Sequence, residues 1–209
     1  MLQVERFALG PLETNAYLIK SEDNSKAVLI DPGAAPKHLL DYIKDIQLEA
    51  ILLTHAHFDH IGGVKEIRRL KQCPVYIHEL EKDWLMDGEW NGSLRWPELG
   101  GEITAGEADY LLMDGETLNF LGQLFEVIHT PGHSPGSVSF YLREQRMVFS
   151  GDVLFRLSVG RTDLPGGSSR QLYASIHERL FPMEDETVCY PGHGPETTIG
   201  YEKQHNPYV

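Results

Sequence analysis

The residues with the clearest chemical potential are three histidines and an aspartate within six positions, in the run Thr54-His55-Ala56-His57-Phe58-Asp59-His60. Neutral imidazoles and carboxylates are the ligands that Zn²⁺ and its first-row neighbours bind, and no cysteine stands nearby to suggest a closed structural zinc site. Strand-like Ile51–Leu53 precedes the run and Gly62-Gly63 follows it, so it lies on a loop at a strand's end. The run therefore predicts a metal site with open coordination positions, as catalysis requires.

Three later strands are each followed by a further potential ligand. The strands and their ligands are Phe125–Ile128 with His133, Met147–Phe149 with Asp152, and Val188–Tyr190 with His193. Taken singly, such residues could serve as turn or capping residues. Together they complete a larger set, because loops at one rim of packed sheets can converge while lying far apart in sequence.

The spacing of the ligands favours two metals. His55 and His57 alternate by two and can face one metal, while Asp59 and His60 continue toward a second position. His133, Asp152 and His193 supply the remaining ligands and a group to bridge the two ions. With two metals, a bridging hydroxide becomes available near neutral pH and a carbonyl or phosphoryl oxygen is polarised. This is hydrolytic chemistry that needs no serine or cysteine nucleophile.

Other polar residues near these motifs have less specific interpretations. Asp31 follows the strand Ala27–Ile30, where it could accept a hydrogen bond from a ligand imidazole or simply form the Asp-Pro-Gly turn. We interpret the five remaining histidines as structural, although one of them is close in sequence to His133. They are His38, His78, His129, His177 and His205.

The elements that must position these residues can be read from hydrophobic patterning. Apolar runs separated by turn residues predict antiparallel strands at Leu2–Leu9, Ala16–Ile19 and Ala27–Ile30. Helical spacing predicts helices at His38–Ile46 and Gly63–Leu70, and Ala50–Leu53 has the pattern of a buried strand. We therefore expect a strand-rich, mixed α/β sandwich.

Composition limits the organisation of the chain and its partners. A length of 209 residues favours one domain over residues 1–209. The formal charge of −13 disfavours nucleic acid, although bound metals would still allow an anionic small substrate at the site. Cys73 and Cys189 are expected as small apolar core residues, and no secretion signal or membrane-length apolar run is recognisable. These features predict a cytoplasmic protein without a membrane partner.

One stretch is less patterned. Between Glu79 and Gly115, Trp84, Trp90 and Trp96 lie among acidic and glycine residues. We expect a surface flap with its own small apolar cluster, and a lid over a substrate pocket is the alternative.

The combined motifs resemble those of the metallo-β-lactamase superfamily. They are the histidine run, Thr130-Pro131-Gly132-His133-Ser134-Pro135-Gly136-Ser137, Ser150-Gly151-Asp152 and Pro191-Gly192-His193-Gly194-Pro195. The resemblance implies an αββα sandwich with a dinuclear site at one edge of the sheets. The ions that it implies are zinc, with iron or manganese as alternatives. It implies that His55, His57 and His133 hold one metal, that Asp59, His60 and His193 hold the other, and that Asp152 bridges them. It gives Asp59 the catalytic task of orienting the metal that carries the attacking water.

Within this superfamily, residues 160–167 and 200–208 resemble the short glyoxalase II-like hydrolases of bacteria. The resemblance implies hydrolysis of a thioester of the S-D-lactoylglutathione type, as in methylglyoxal detoxification. Only residues 194–209 follow His193, so we expect no C-terminal glutathione-binding domain, and the thiol carrier stays open. Arg161 could bind a substrate carboxylate with Asp163 holding it in place, or the two could form a structural pair that shapes the loop.

Several competing functions can be weighed from the same residues. A common dinuclear β-lactamase would carry cysteine in place of Asp152, and a tRNA-processing nuclease would need a basic surface that this acidic chain lacks. Persulfide dioxygenases, which keep a single iron, share the Gly-Arg-Thr-Asp element and are the main enzymatic alternative. A non-hydrolytic metal-binding module is the alternative from another class. The sequence leaves the acyl group, the native metal and the oligomeric state open.

Overall fold

The computed structural model describes residues 2–99 and 101–209, and the chain divides into two compact units. The first unit contains the residues up to Leu111 together with Phe120–Gly122. The second contains Leu112–Asn119 and Gln123–Val209. The single domain over residues 1–209 stays a prediction.

A six-stranded sheet, with strands in sequence order, organises the first part of the chain. Its strands are β1 (Gln3–Leu9), β2 (Thr14–Lys20), β3 (Lys26–Ile30), β4 (Gln47–Leu52), β5 (Val75–His78) and β6 (Tyr110–Leu112). Strands β1, β2 and β3 pair antiparallel, as the sequence predicted. Strand β4 pairs parallel with both β3 and β5, so the carboxyl ends of β3 and β4 lie at the same edge of the sheet.

Three helices accompany this sheet, namely α1 (Lys37–Ile43), α2 (Phe58–Ile61) and α3 (Val64–Lys71). Helix α1 is shorter than the predicted His38–Ile46, because the chain leaves the helix in a turn in which the Ile46 amide donates to the Ile43 carbonyl. Helix α3 buries Val64 and Ile67 on one face. It ends at Gln72, whose backbone is left-handed and donates to the Arg68 carbonyl.

The stretch from Glu79 to Gly115 forms short 3₁₀ turns rather than long elements. They are Glu79–Glu81, Asp83–Met86, Ser93–Arg95 and Pro97–Leu99, and Gly100 lies outside the described residues. Trp84 and Leu85 belong to the same apolar core as β1 to β5. The expected separate apolar cluster is therefore wrong for these two residues, because their side chains are large enough to reach the core of the sheet.

A second six-stranded sheet has the order β14-β13-β10-β9-β8-β7. Its strands are β7 (Thr117–Phe120), β8 (Gln123–His129), β9 (Val138–Leu142), β10 (Met147–Gly151), β13 (Val188–Pro191) and β14 (Thr197–Thr198), while β11 (Leu154–Phe155) and β12 (Ser158–Val159) form a separate ribbon. Strands β10 and β13 pair parallel. The residues that follow these two strands therefore emerge at one edge.

The second unit contains two capped helices, α4 (Ser169–Ser175) and α5 (Ile199–His205), and a π-helical segment at Ile176–Leu180 continues from α4. The side chains of Ser168 and Thr198 each accept a hydrogen bond from a backbone amide in the first turn of the helix that follows. Such caps satisfy amides that have no partner within the helix.

Both cysteines are free thiols in apolar surroundings. Burial raises the pKa of the Cys73 thiol to about 11 and that of the Cys189 thiol to about 12. The raised values favour neutral thiols at physiological pH, which fits the predicted role as small core residues. Over residues 2–99 and 101–209, no helix has both the length and the apolar composition needed to cross a membrane.

Candidate metal centre

Asp31 organises the part of the site that lies in the first unit. It follows β3, and its neighbour across the parallel pairing leads into the loop Leu53–His57 after β4. Its Oδ1 accepts from the Thr54 amide at 2.8 Å, and its Oδ2 accepts from the Thr54 hydroxyl at 2.5 Å. The same Oδ2 lies 2.9 Å from His60 Nδ1. The sequence predicted that Asp31 either contacts a ligand imidazole or forms a turn. Its side chain lies against His60, and its backbone adopts a left-handed conformation with φ of 49°.

These contacts determine which nitrogen of each ring carries the proton. The single proton of the Thr54 hydroxyl goes to Asp31, so its oxygen can only accept from His55 Nδ1, 3.1 Å away. His60 Nδ1 likewise donates to the Asp31 carboxylate. In a neutral imidazole with the proton on Nδ1, Nε2 carries the lone pair. His55 and His60 are therefore held in the tautomer that binds a metal through Nε2.

The imidazoles of the first unit are closely grouped and buried. The ring centroid of His55 lies 4.8 Å from that of His57 and 4.1 Å from that of His60. The Nε2 atoms of all three rings are shielded from solvent. This close grouping of imidazoles is typical of a metal centre.

Asp59 lies beside His60 on α2, with its Oδ2 3.5 Å from His60 Nε2. The buried hydroxyl of Thr14, at the start of β2, donates to the same Oδ2 at 2.7 Å. Gly33 packs directly against the backbone of Asp59, where a Cβ atom would lie 1.8 Å from the Asp59 carbonyl oxygen. A glycine at position 33 is thus required for Asp59 to occupy this place.

The second unit brings together His133, Asp152 and His193. They follow β8, β10 and β13, as the sequence predicted. Asp152 Oδ2 lies 3.6 Å from His133 Nε2 and 3.6 Å from His193 Nε2. Two atoms bound to one tetrahedral zinc at about 2.1 Å lie about 3.4 Å apart. Both separations match that expected for two ligands of a common metal.

His133 is also held in a metal-binding tautomer. Its Nδ1 lies 2.8 Å from the Arg161 carbonyl oxygen, which can only accept, so Nδ1 carries the proton and Nε2 the lone pair. Gly160, the residue before Arg161, has no room for a side chain because a Cβ atom would lie 1.8 Å from the Asp152 carbonyl oxygen. The backbone of residues 160–161 therefore supports both ligands.

Arg161 and Asp163, predicted as substrate-binding residues, form a bidentate pair on the surface. The Arg161 Nε and one terminal nitrogen each donate to an Asp163 oxygen at 2.7 Å. These hydrogen bonds lower the pKa of Asp163 to about 2. Both side chains are more than half exposed, so the pair is accessible to a substrate.

The sequence analysis missed the residues that support the histidine run from the stretch 79–93. Glu81 accepts from the Ala56 amide, Trp84 lies against the His57 ring, and the Asn91 carbonyl accepts from the Phe58 amide. Thr14 was missed as well. Only the acidic character of Glu81 beside strand-like residues was visible in the sequence, and acidic residues in such a stretch are usually exposed.

The five histidines interpreted as structural make other contacts. The Nε2 of His129 lies 2.8 Å from the Pro135 carbonyl oxygen, and His78 accepts from the Leu80 amide. The rings of His38, His177 and His205 lie against Phe7, Phe181 and Tyr201.

Residues 9–193 match the family model described as the metallo-beta-lactamase superfamily. The "Probable metallo-hydrolase YqgX" of Bacillus subtilis is 46% identical over 98% of this chain and 96% of its own. The "Hydroxyacylglutathione hydrolase GloC" of Haemophilus influenzae is 33% identical over 100% of this chain and 98% of its own.

Solved structures show the same relationship. The structure titled "BLEG-1 B3 metallo-beta-lactamase" is 47% identical, with a TM-score of 0.94 over 99% of both chains. "TTHA1623 in a di-iron-bound form" is 42% identical, with a TM-score of 0.85 over 99% of this chain and 100% of that one. "ETHE1 from Myxococcus xanthus" is 28% identical, with a TM-score of 0.76 over 98% and 83%. The predicted fold class and the predicted superfamily are confirmed.

We predict that Asp31→Asn lowers the free energy of unfolding of the metal-free protein by about 1–3 kcal/mol, the cost of leaving a buried hydrogen-bonding group unsatisfied. Asparagine tolerates the left-handed backbone, but its amide group must face either Thr54 or His60, which already donate. Urea denaturation measures the change. Asp45→Asn, on a side chain that is 87% exposed, is the matched control. Equal stability of the two variants would contradict the role of Asp31.

Proposed function

The chain belongs to the metallo-beta-lactamase superfamily, a family of metallo-hydrolases, and we propose that it hydrolyses an acyl thioester of the S-D-lactoylglutathione type with two bound divalent metals. The partner would be a small molecule rather than nucleic acid, in keeping with the formal charge of −13. We place the reaction in the cytoplasm, since both cysteines are free thiols.

The seven predicted ligands are enough donors for two ions. In this proposal His55, His57 and His133 hold one metal, Asp59, His60 and His193 hold the other, and Asp152 bridges them. The observation that carries the proposal is the position of Asp152 Oδ2, at 3.6 Å from the Nε2 atoms of both His133 and His193. A carboxylate oxygen equidistant from two imidazoles is suited to the bridging task.

The donor set fits zinc, and iron or manganese as alternatives, because it contains imidazoles and carboxylates without thiolates. When bound, such metals supply Lewis acidity, which polarises an acyl carbonyl and lowers the pKa of water. The residues of the chain orient this chemistry. Thr14 fixes the carboxylate of Asp59 through a 2.7 Å hydrogen bond, and Asp31 fixes the ring of His60. These contacts support the catalytic task proposed for Asp59.

Two observations support a thioester substrate. A relative that is similar along its whole length is named a hydroxyacylglutathione hydrolase. In addition, Arg161 projects from the loop that holds His133, and Asp163 takes up two of the five guanidinium donors. The remaining donors suit a carboxylate on the thiol carrier or on the acyl group.

Two other activities have specific support. β-Lactam hydrolysis, which the aspartate at position 152 argued against in the sequence, is favoured by the similarity to a structure titled a B3 metallo-beta-lactamase. Persulfide dioxygenation with a single iron is the alternative drawn from the sequence, and an ETHE1 structure is among the similar folds. A non-hydrolytic metal-binding module would show neither activity.

We predict that the active protein holds close to two transition-metal ions per chain. Asp152→Ala should lower the occupancy of both positions because it removes a shared ligand, whereas His193→Ala should empty mainly one. Elemental analysis after dialysis measures the content, with the substitution His205→Ala, at an exposed residue of α5, as the control. Full occupancy in Asp152→Ala would refute the bridging role, and a single ion in the wild type would favour the dioxygenase.

We further predict that the protein with two bound metals hydrolyses lactoylglutathione in preference to other candidate substrates. The panel should contain further thioesters, lactones, phosphodiesters and a β-lactam, together with oxygen uptake in the presence of a persulfide. Chelation should abolish the activity if metals are required. Turnover of the β-lactam alone, or oxygen uptake alone, would replace the thioester proposal with the corresponding alternative.

For Arg161→Ala we predict a KM about tenfold higher for an anionic thioester, the effect of losing about one charge-assisted hydrogen bond at an exposed site. The turnover of a neutral thioester and the metal content should stay near those of the wild type, because the backbone carbonyl that holds His133 is retained. Arg170→Ala, an exposed arginine on α4, is the matched control. Equal damage to both substrates, or metal loss, would show that Arg161 only shapes the loop.

A further inference from the structure

The stretch 79–93 contacts the histidine run at three successive residues. The Glu81 carboxylate accepts from the Ala56 amide, with Oε2 2.6 Å from the nitrogen. The Trp84 ring lies 6.1 Å from the His57 ring between centroids. The Asn91 carbonyl accepts from the Phe58 amide at 3.0 Å. A stretch without long elements therefore holds the backbone and a side chain of the ligand loop.

Trp84 and Asn91, which make two of these contacts, are themselves held in place by packing and hydrogen bonds. Trp84 is buried in the core and stacks on Trp90, with 5.4 Å between ring centroids. The buried Asn91 donates from its side chain to the carbonyls of Trp84 and Ile103. The stretch thus forms a braced support for the loop.

Glu81 is the most informative of the three contacts. Its side chain is completely buried, with an exposure of 0%. A carboxylate is costly to remove from water and persists inside a protein only where its partners compensate for the lost hydration. A distance of 2.6 Å to a backbone nitrogen is that of a strong, charge-assisted hydrogen bond. The carboxylate therefore makes a specific interaction with the ligand loop.

The amide that donates to Glu81 belongs to Ala56, and its place in the chain matters for the orientation of the neighbouring histidines. Ala56 lies between His55 and His57, so the peptide plane that carries its N–H also sets the direction in which the His55 side chain leaves the backbone. The two imidazoles are nearly perpendicular, with an interplanar angle of 88°. A rotation of this peptide plane would change that angle and the separation of the two rings.

We propose that Glu81 is a positioning residue for the metal centre, whose carboxylate fixes the Ala56 amide and so presets the geometry of His55 and His57. The inference rests on the metal site of the proposed function and is independent of the substrate. Residues that orient metal ligands typically change metal affinity 10- to 100-fold when they are replaced. The proposal also assigns the stretch 79–93 a supporting task at the ligand loop.

The test uses three substitutions of Glu81 that separate position from charge. Glu81→Gln keeps the length of the side chain and an oxygen acceptor, Glu81→Asp keeps the charge but withdraws it by one methylene, and Glu81→Leu removes the acceptor. Glu79→Gln, an exposed residue of the same 3₁₀ turn, is the matched control. Zinc affinity is measured by competition with a chromophoric chelator, beginning from metal-free protein. The melting temperature of the metal-free protein and the visible spectrum of its cobalt form are recorded alongside.

If Glu81 acts by position, Glu81→Gln and Glu79→Gln should bind zinc within about threefold of the wild type, while Glu81→Asp and Glu81→Leu should bind about 10- to 100-fold more weakly. The cobalt spectrum should change in the two weak variants and not in the others. If Glu81→Leu fails to fold, the order of Gln above Asp still decides the question. The reverse order, or wild-type affinity in a folded Glu81→Leu, would overturn the proposal.

The same measurements distinguish a failure of the Glu81 proposal from a failure of the proposed function. Wild-type protein that binds no metal would overturn both. Wild-type protein that binds two metals but hydrolyses no thioester would contradict only the substrate, and the affinity order of the variants would still test Glu81.

Discussion

The location of one proton on each imidazole is the constraint on which the rest of the site depends. A histidine binds a metal through a nitrogen that carries a lone pair, so its other nitrogen must hold the proton and donate it. Asp31, the Thr54 hydroxyl and the Arg161 carbonyl accept these protons from His60, His55 and His133. The candidate metal-binding imidazoles are therefore oriented by hydrogen bonds to groups outside the predicted ligand set.

The strand pairing explains how those groups come to be available. Strands β3 and β4 are parallel neighbours, so Asp31 and Thr54 leave the sheet at the same edge and meet there. Strands β10 and β13 are parallel as well, which places Asp152 and His193 together in the second unit. Glycines allow the closest backbone approaches, with Gly33 against Asp59 and Gly160 against Asp152. In each unit a candidate carboxylate ligand thus packs against a glycine, which leaves no room for a side chain at that position.

Metal chemistry and substrate choice depend on different parts of the molecule. Most of the candidate ligands are buried, and only Asp59 and His193 among them are partly exposed, whereas the side chains of Arg161 and Asp163 are more than half exposed. Relatives that share the fold carry different names, from hydroxyacylglutathione hydrolase to B3 metallo-beta-lactamase. The fold alone does not determine the reaction or the substrate, which depend on the residues of the site.

The sequence by itself determined the fold class, the first three strands and the seven candidate ligands. These features are local, since alternating apolar residues, turn residues and a dense histidine run are each visible within a few positions. The end of α1 was placed three residues too late, because the apolar spacing continues through Ile46 while the backbone has already turned.

Only the tertiary structure revealed which residues support the candidate ligands through hydrogen bonds. Thr14 lies 45 residues from Asp59, and Glu81 lies 25 residues from Ala56, so no local pattern links them. A lone threonine or glutamate is normally exposed, and its burial depends on a partner that folding brings to it. The ligands could be recognised because their residue types are unusual together, whereas the residues that hold them are ordinary until the fold places them.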